Sequence, residues 1–129
     1  MKIAKLATAL TLAFTLAMPI ASAQSADPAG TWQTTTGESR FDVSLCGDGT
    51  ELCAKLVWLR DDAKTAENLP YLGQFVVEGA DATAANRWRG TVNYAGESVS
   101  GTVKLTSENA MSLSGCRGLG CRTFELVRV

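Results

Sequence analysis

After residue 29 the chain alternates apolar and polar residues with a period of two, as β-strands with one buried face do. The alternation is clearest over residues 39–60 (SRFDVSLCGDGTELCAKLVWLR), where two runs flank a Gly-Asp-Gly turn. Two such runs around a glycine-containing turn predict a β-hairpin. The apolar residues on its predicted inward face are Phe41, Val43, Leu45, Leu52, Ala54, Leu56 and Trp58.

The same alternation predicts six further strands, at 30–35, 72–78, 86–94, 98–105, 111–114 and 121–129. It does not decide which side of 72–78 faces inward. Residues 79–85 (GADATAA) are predicted to be a loop, and the polar segment 60–70 one helical turn that ends at Pro70. The chain is therefore predicted to contain eight short strands and almost no helix.

Eight strands with one apolar and one polar face fit a sheet that closes on itself, because closure removes the exposed edges. A two-sheet sandwich would alternate in a similar way, but the short connections favour an up-and-down order. We therefore predict an all-β fold, an eight-stranded up-and-down antiparallel barrel. It forms a single domain over residues 30–129.

The first 23 residues have the pattern of a cleaved secretory signal peptide. Lys2 and Lys5 precede an apolar stretch over 6–18, and residues 21–23 (ASA) form a small-residue cleavage site. The apolar stretch is too short for a membrane-spanning helix. These features predict a Sec-type signal with cleavage after Ala23, a flexible leader over 24–29, and a periplasmic or secreted protein with no membrane span.

The four cysteines lie at positions 46, 53, 116 and 121. An even number of cysteines in an exported chain favours disulfides, for which three connectivities exist. The local pairs Cys46–Cys53 and Cys116–Cys121 are favoured because each pair flanks a glycine-containing turn. A zinc site is the alternative, but it needs Cys-x-x-Cys spacing or histidines, and the sequence has neither. We expect no bound metal.

The composition gives no broad basic surface. The sequence has 12 basic and 13 acidic residues, and loss of Lys2 and Lys5 with the signal peptide leaves 10 basic residues. The mature chain is therefore slightly acidic, and nucleic acids and anionic lipid surfaces are poor candidate partners. Arg87 and Arg89 form a small basic edge, which we interpret as a solvated face.

The first predicted strand begins with Gly30-Thr31-Trp32, and the last predicted strand carries Arg128. This pattern resembles lipocalins, in which a Gly-x-Trp opens the barrel and an arginine on the last strand packs over the tryptophan. The resemblance implies that Trp32 and Arg128 close one end of the barrel through a cation–π contact.

A second resemblance extends over nearly the whole mature chain. The matching pieces are GTWQT, LCGDGTELCAKLVWL, LGQFVV, RWRGTVNY and LSGCRGLGCRTFELVRV. They resemble small secreted bacterial proteins grouped as domain of unknown function 2147. The resemblance implies an exported protein with a lipocalin-like barrel and no established reaction. The chain departs from the family pattern after the third and fifth strands, where it has DDAKTAEN and AGES.

An eight-stranded barrel either fills with side chains or holds one small ligand. Gly90 and Gly101 leave interior volume unclaimed, which favours a cavity. The larger residues predicted to line it are Phe41, Leu56, Trp58, Trp88, Tyr94, Met111 and Phe124. Because pocket-lining and core residues have the same apolar composition, a filled barrel stays open as the alternative.

The sequence offers few groups for catalysis. It contains no histidine, and its cysteines are expected to be oxidised, which removes the usual general base and a thiol nucleophile. Asp61 and Asp62 lie in a polar loop and are interpreted as solvated charges. The glycine-rich segment 115–120 does not open a helix and is better explained as a disulfide-closed turn. We expect no enzyme and no cofactor.

Two functional hypotheses follow. The first is a periplasmic, non-enzymatic binder of a small apolar or amphipathic ligand in the barrel cavity. The alternative is a structural or protein-interaction module of the cell envelope with a filled barrel, whose protein partner the sequence does not indicate.

Overall fold

The computed structural model describes residues 11–13, 26–94 and 96–129, with Tyr94 described for its backbone only. The predicted signal peptide and its cleavage site lie outside these residues, apart from 11–13, which have no regular secondary structure. No helix in the described part of the chain is both long and apolar enough to cross a membrane.

Eight strands form a closed antiparallel barrel in which each strand pairs with its neighbours in sequence and β1 pairs with β8. The strands are β1 (Gly30–Thr34), β2 (Ser39–Cys46), β3 (Glu51–Leu59), β4 (Phe75–Ala84), β5 (Arg87–Tyr94), β6 (Glu97–Ser107), β7 (Ala110–Arg117) and β8 (Gly120–Arg128). Two short 3₁₀ turns, Asp61–Ala63 and Leu69–Tyr71, lie between β3 and β4. The predicted fold class and strand order are confirmed.

The two ends of the barrel differ in their covering. At the closed end the chain enters β1, and short turns join β2 to β3, β4 to β5 and β6 to β7. The opposite end, called the open end here, carries the short turns between β5 and β6 and between β7 and β8. It also carries the connection 60–74, which holds both 3₁₀ turns.

Trp32 and Arg128 cap the closed end as directly paired residues of β1 and β8. The guanidinium carbon of Arg128 lies 4.4 Å from the centroid of the Trp32 ring, and the Trp32 side chain is fully buried. A cation over an indole face contributes roughly 0.5–2 kcal/mol. The contact stands where the lipocalin-like pattern places it.

Residues 26–29, which belong to the segment predicted as a flexible leader, lie across this cap. The indole nitrogen of Trp32 donates to the Pro28 carbonyl over 2.8 Å. The Arg128 guanidinium donates to the carbonyls of Asp27 and Ala29 over 2.7 and 2.6 Å. Composition gives no signal for these hydrogen bonds, because their acceptors are main-chain groups that every residue carries.

The packed core occupies the closed end and the β1–β4 side of the barrel. Its largest fully buried side chains are Trp32, Leu52, Leu56, Met111, Val76 and Val77. Ala63 and Tyr71 from the connection 60–74 pack against this core and cover the β3–β4 side of the open end. Close packing of this half leaves the β5–β8 side of the open end as the region with free volume.

A β-bulge in β3 overturns the prediction that Trp58 faces the interior. Phe41 pairs with Leu56 but the preceding residue, Arg40, pairs with Trp58, so Val57 is an extra residue in β3. One extra residue reverses the faces that follow it. Val57 and Trp58 are 37% and 36% exposed. On the outer surface the Arg40 guanidinium lies 4.5 Å from the Trp58 ring centroid.

Leu45 shares the inward face predicted for it, since it is paired with the buried Leu52, but its side chain is exposed. It is the last residue but one of β2, beside the closed-end hairpin turn, and it is 42% exposed. A side chain at the rim of a barrel has few neighbours above it, so an inward direction does not bury it.

Strand β4 differs from the prediction in both length and facing. It extends through Ala84, so 79–85 is mostly strand rather than loop. Pairing with both β3 and β5 outweighs the low strand propensity of its alanines and glycine. An irregularity in its pairing with β3 turns both Val76 and Val77 inward, while Phe75 is 41% exposed. These positions show which residues of the predicted strand 72–78 face inward, a question that the alternation did not decide.

Both predicted local disulfides are present. Cys46–Cys53 closes the β2–β3 hairpin at the closed end, with its Cα atoms 6.0 Å apart. Cys116–Cys121 joins directly paired residues of β7 and β8 at the open end, with Cα atoms 4.0 Å apart. Two disulfides indicate an oxidising environment outside the cytosol.

Candidate ligand-binding site

A cavity of about 460 Å³ opens at the open end of the barrel, on the β5–β8 side. Its volume falls within the range of small-molecule sites, about 300–1,000 Å³. The lining has an apolar part and a charged part and consists of Glu67, Val92, Glu97, Val99, Leu113, Gly115, Arg117, Gly120, Cys121, Arg122 and Phe124.

Three glycines lie in register on the strands of this side of the barrel, and one of them, Gly115, lines the cavity. Gly90, Gly101 and Gly115 are paired residues on β5, β6 and β7. A Cβ on Gly101 would lie 2.3 Å from a methyl carbon of Val92, and one on Gly115 would lie 2.9 Å from a methyl carbon of Val99. The two valines therefore lie over these glycines, and both also line the cavity.

Val92, Leu113 and Phe124 form the floor of the cavity. The same three residues also line a small void of about 10 Å³ beneath it, next to Phe41 and Leu126 of the core. Val92 and Leu113 are buried and Phe124 is half-buried. Leu113 and Phe124 are directly paired on β7 and β8, so their side chains lie side by side. The floor therefore presents an apolar surface to the cavity and is continuous with the packed core, to which Val92 and Leu113 belong.

Charged side chains line the mouth of the cavity. Arg117, the last residue of β7, forms an ion pair with Glu97, the first residue of β6. Glu67 approaches from the connection 60–74. Arg122 lies on β8 opposite Gly115, two residues before Phe124 on the same strand face. Within the described part of the chain, the Arg122 side chain has no hydrogen bond or ion pair, so its guanidinium is available to a ligand.

A comparison with sequence families decides the relationship that the sequence pieces suggest. Residues 30–128 match the family described as "Uncharacterized protein conserved in bacteria (DUF2147)". The chain belongs to this family. The match begins at the first residue of β1 and ends at the last residue of β8, so the DUF2147 unit coincides with the barrel. Comparisons with curated proteins and with solved structures gave no significant match.

In this DUF2147 chain the structure brings one of the seven predicted ligand residues, Phe124, to the large cavity. Four others are buried in the packed core, namely Phe41, Leu56, Trp88 and Met111. Trp88 also donates a hydrogen bond from its indole nitrogen to the Thr50 carbonyl over 2.9 Å, which ties β5 to the β2–β3 turn. Trp58 lies outside the barrel, and the Tyr94 side chain is outside the described part.

Sequence reasoning missed the charged residues of the cavity. Arginine is usually solvent-facing, so the residue type alone does not indicate that Arg122 lines a cavity. The signal was nevertheless in the alternation, since Phe124 and Leu126 predict that residue 122 shares their inward face. Glu67 gave no such signal, because its approach depends on the path of the connection 60–74.

The other acidic candidates of this DUF2147 chain are engaged in local ion pairs. Asp62 accepts two hydrogen bonds from the Arg60 guanidinium, over 2.6 and 2.9 Å, and Asp61 pairs with Lys64 over 3.1 Å. The hydrogen bonds and charge of Arg60 lower the pKa of Asp62 below its ordinary value. A carboxylate held in its ionised form is a poor general acid. No group of three or more His, Cys, Asp or Glu side chains able to hold a metal ion occurs within residues 11–13, 26–94 and 96–129.

Proposed function

We propose that this protein is an exported, non-enzymatic binder of a small apolar or amphipathic ligand, which it holds in the open-end cavity. The observation that carries the proposal is the cavity of about 460 Å³ with an apolar floor and a charged mouth. This volume supports the binder over the alternative with a filled barrel. The family match supports the fold of this binder and supplies no ligand.

Export to the periplasm is part of the proposal. It is supported by the basic start, apolar stretch and Ala21-Ser22-Ala23 site of the first 23 residues, and by the two disulfides. A binder in this compartment meets lipids and other amphiphiles of the cell envelope in an oxidising environment.

Binding would be driven by burial of the ligand's apolar surface against the floor. Burial contributes roughly 25 cal/mol per Å², so about 200 Å² of ligand surface gives on the order of 5 kcal/mol before the costs of association. The strand-built floor lowers those costs because Val92, Leu113 and Phe124 already hold their positions. No bond is made or broken in this mechanism.

A specific observation favours the second candidate, a protein-interaction module of the envelope. Trp58 and Phe75 are exposed on the outer face of β3 and β4, and Arg40 and Lys55 lie over their rings. Exposed aromatic residues beside arginine are frequent at protein interfaces. This surface lies outside the barrel, so the two candidates predict different sensitive residues.

Native mass spectrometry tests the proposal on mature protein purified from the periplasm. We expect additional mass that disappears on denaturation and returns after exposure to envelope lipid extract. Val99→Trp places a large side chain in the cavity and should abolish the additional mass. Ser100→Trp, which adds the same group on the outer face of β6, and Trp58→Ala should both keep it.

A measured mass equal to that of the protein alone, also after exposure to the extract, would contradict the proposed ligand binding. The protein-interaction module would then be the remaining candidate. In that case Trp58→Ala should reduce recovery of a cross-linked envelope protein, and Val99→Trp should not. The two candidates are thus separated by the same pair of variants.

A further inference from the structure

The position of Arg122 carries an inference about the class of ligand, and this inference rests on the proposed binding function. Arg122 lies at the mouth of the cavity, and Phe124 of the floor lies two residues further along the same face of β8. Two residues of a strand span about 6–7 Å. The wall of the cavity therefore presents a cation close above an apolar surface.

The other charges at the mouth do not neutralise Arg122. Glu97 is paired with Arg117 across β6 and β7. Glu67, on the connection 60–74, has no ion pair with Arg122 in the described part of the chain. Among the described residues that line the cavity, Arg122 is thus the one strand-borne charge whose side chain has no partner.

The surroundings of Arg122 leave room for a headgroup. Its paired residue on β7 is Gly115, which has no side chain to fill the space beside the guanidinium. The neighbouring residue Cys121 is held in the disulfide with Cys116, which fixes β7 to β8 at this level. A planar guanidinium held on a fixed strand suits a two-point hydrogen bond to a carboxylate or phosphate group.

We propose that the cavity selects an anionic amphiphile, a molecule whose alkyl chain lies on the Val92–Leu113–Phe124 floor and whose carboxylate or phosphate group is bound by Arg122. Because Arg122 is exposed, the headgroup contact contributes selectivity, and the alkyl chain contributes most of the affinity. Salt should weaken the headgroup contact, since exposed charges are screened.

Calorimetric titration of the mature protein with four ten-carbon amphiphiles tests the inference: decanoate, decyl phosphate, decanol and decyltrimethylammonium. We expect decanoate or decyl phosphate to bind about tenfold more tightly than decanol and the cationic amphiphile. The stronger of the two anionic probes identifies the headgroup. Lengthening its chain by one methylene should strengthen binding about fourfold.

Arg122→Gln should remove the preference for the anionic probe, weakening its binding about tenfold, and leave decanol binding unchanged within twofold. Arg87→Gln, which removes an exposed arginine from the outer face of β5, is the matched control and should leave all four affinities unchanged. Glu67→Gln should leave anion binding unchanged or strengthen it. Thermal unfolding of each variant checks that the fold is kept.

If decanol and the anionic probes bind with equal affinity, and Arg122→Gln changes neither affinity, the proposed selectivity is overturned. The proposed ligand-binding function would not be affected by this result. Tighter binding of the cationic amphiphile would also overturn the selectivity for anions. It would indicate that Glu67, and not Arg122, binds the headgroup. Absence of binding by all four probes, together with a clean apo mass after lipid extract, would overturn the proposed function itself.

Discussion

Arg128 makes more contacts than any sequence pattern assigns to it. Besides the Trp32 ring, its guanidinium binds main-chain carbonyls of Asp27 and Ala29 before β1 and of Glu108 between β6 and β7. One side chain thereby ties β8 to the segment that leads into β1 and to the β6–β7 turn at the closed end. The planar shape of the guanidinium makes this possible, because its N–H groups point in several fixed directions.

Arg128→Lys should therefore destabilise the barrel even though it keeps the charge. An ammonium group cannot reach all three carbonyls, and we expect a loss of about 1–2 kcal/mol in the free energy of unfolding. Urea denaturation measures it. Arg122→Lys is the matched control on the same strand and should be neutral, because the Arg122 side chain has no partner within the described residues. An equal effect of the two substitutions would contradict the role given to Arg128.

Among the elements, β5, β6 and β7 carry the row of three glycines at Gly90, Gly101 and Gly115. Gly101 is the central member of the glycine row and lies close to neighbours on both sides. A Cβ there would be 2.3 Å from a Val92 methyl carbon and 2.9 Å from the Ser114 carbonyl oxygen. The main-chain oxygen cannot move away without disturbing the β6–β7 pairing.

Gly101→Ala should lower the free energy of unfolding by about 1–3 kcal/mol, as overpacking of a filled region does. Gly120→Ala is the control at the same cavity, since its nearest neighbour is the Arg117 carbonyl oxygen at an ordinary 3.5 Å. It should be close to neutral. Adding Val92→Ala to Gly101→Ala should restore part of the loss, which a double-mutant cycle measures. Additive losses would show that the Val92 contact is not the cause.

In the whole molecule the two disulfides hold opposite ends of the barrel. Cys46–Cys53 lies at the packed closed end, and Cys116–Cys121 lies beside the cavity. Both close short loops and should contribute similar stability by restricting the unfolded chain. Their effects on the native state should differ, because the packed end has other contacts to hold it and the cavity wall has fewer.

Replacing either cysteine pair with serines should lower the free energy of unfolding by roughly 2–3 kcal/mol. Amide hydrogen exchange distinguishes the two variants. Loss of Cys116–Cys121 should speed exchange around the β7–β8 turn, and loss of Cys46–Cys53 should leave that turn unchanged. Equal exchange at the β7–β8 turn in both variants would contradict a local role for the open-end disulfide.

The sequence by itself determined the number and order of the strands and the pairing of the cysteines. Alternation with period two is a local property of the sequence. Because the connections are short, strands that are neighbours in sequence also pair in the sheet. Local cysteine pairs around a turn need no long-range information either. The family relationship was also readable, because the matching pieces are distributed from β1 to β8.

Only the tertiary structure decided the facing of Trp58, the length of β4 and the place of the cavity. A bulge adds one residue to a strand without changing the apolar pattern, so Trp58 appeared to continue the inward face of Leu56. The cavity depends on how eight strands share one interior. Large residues such as Trp88 and Met111 are buried in the core, and the cavity lies at the open end beside smaller residues such as Gly115 and Gly120. The distribution of side-chain volume over the interior is a property of the closed barrel and cannot be read from any single strand.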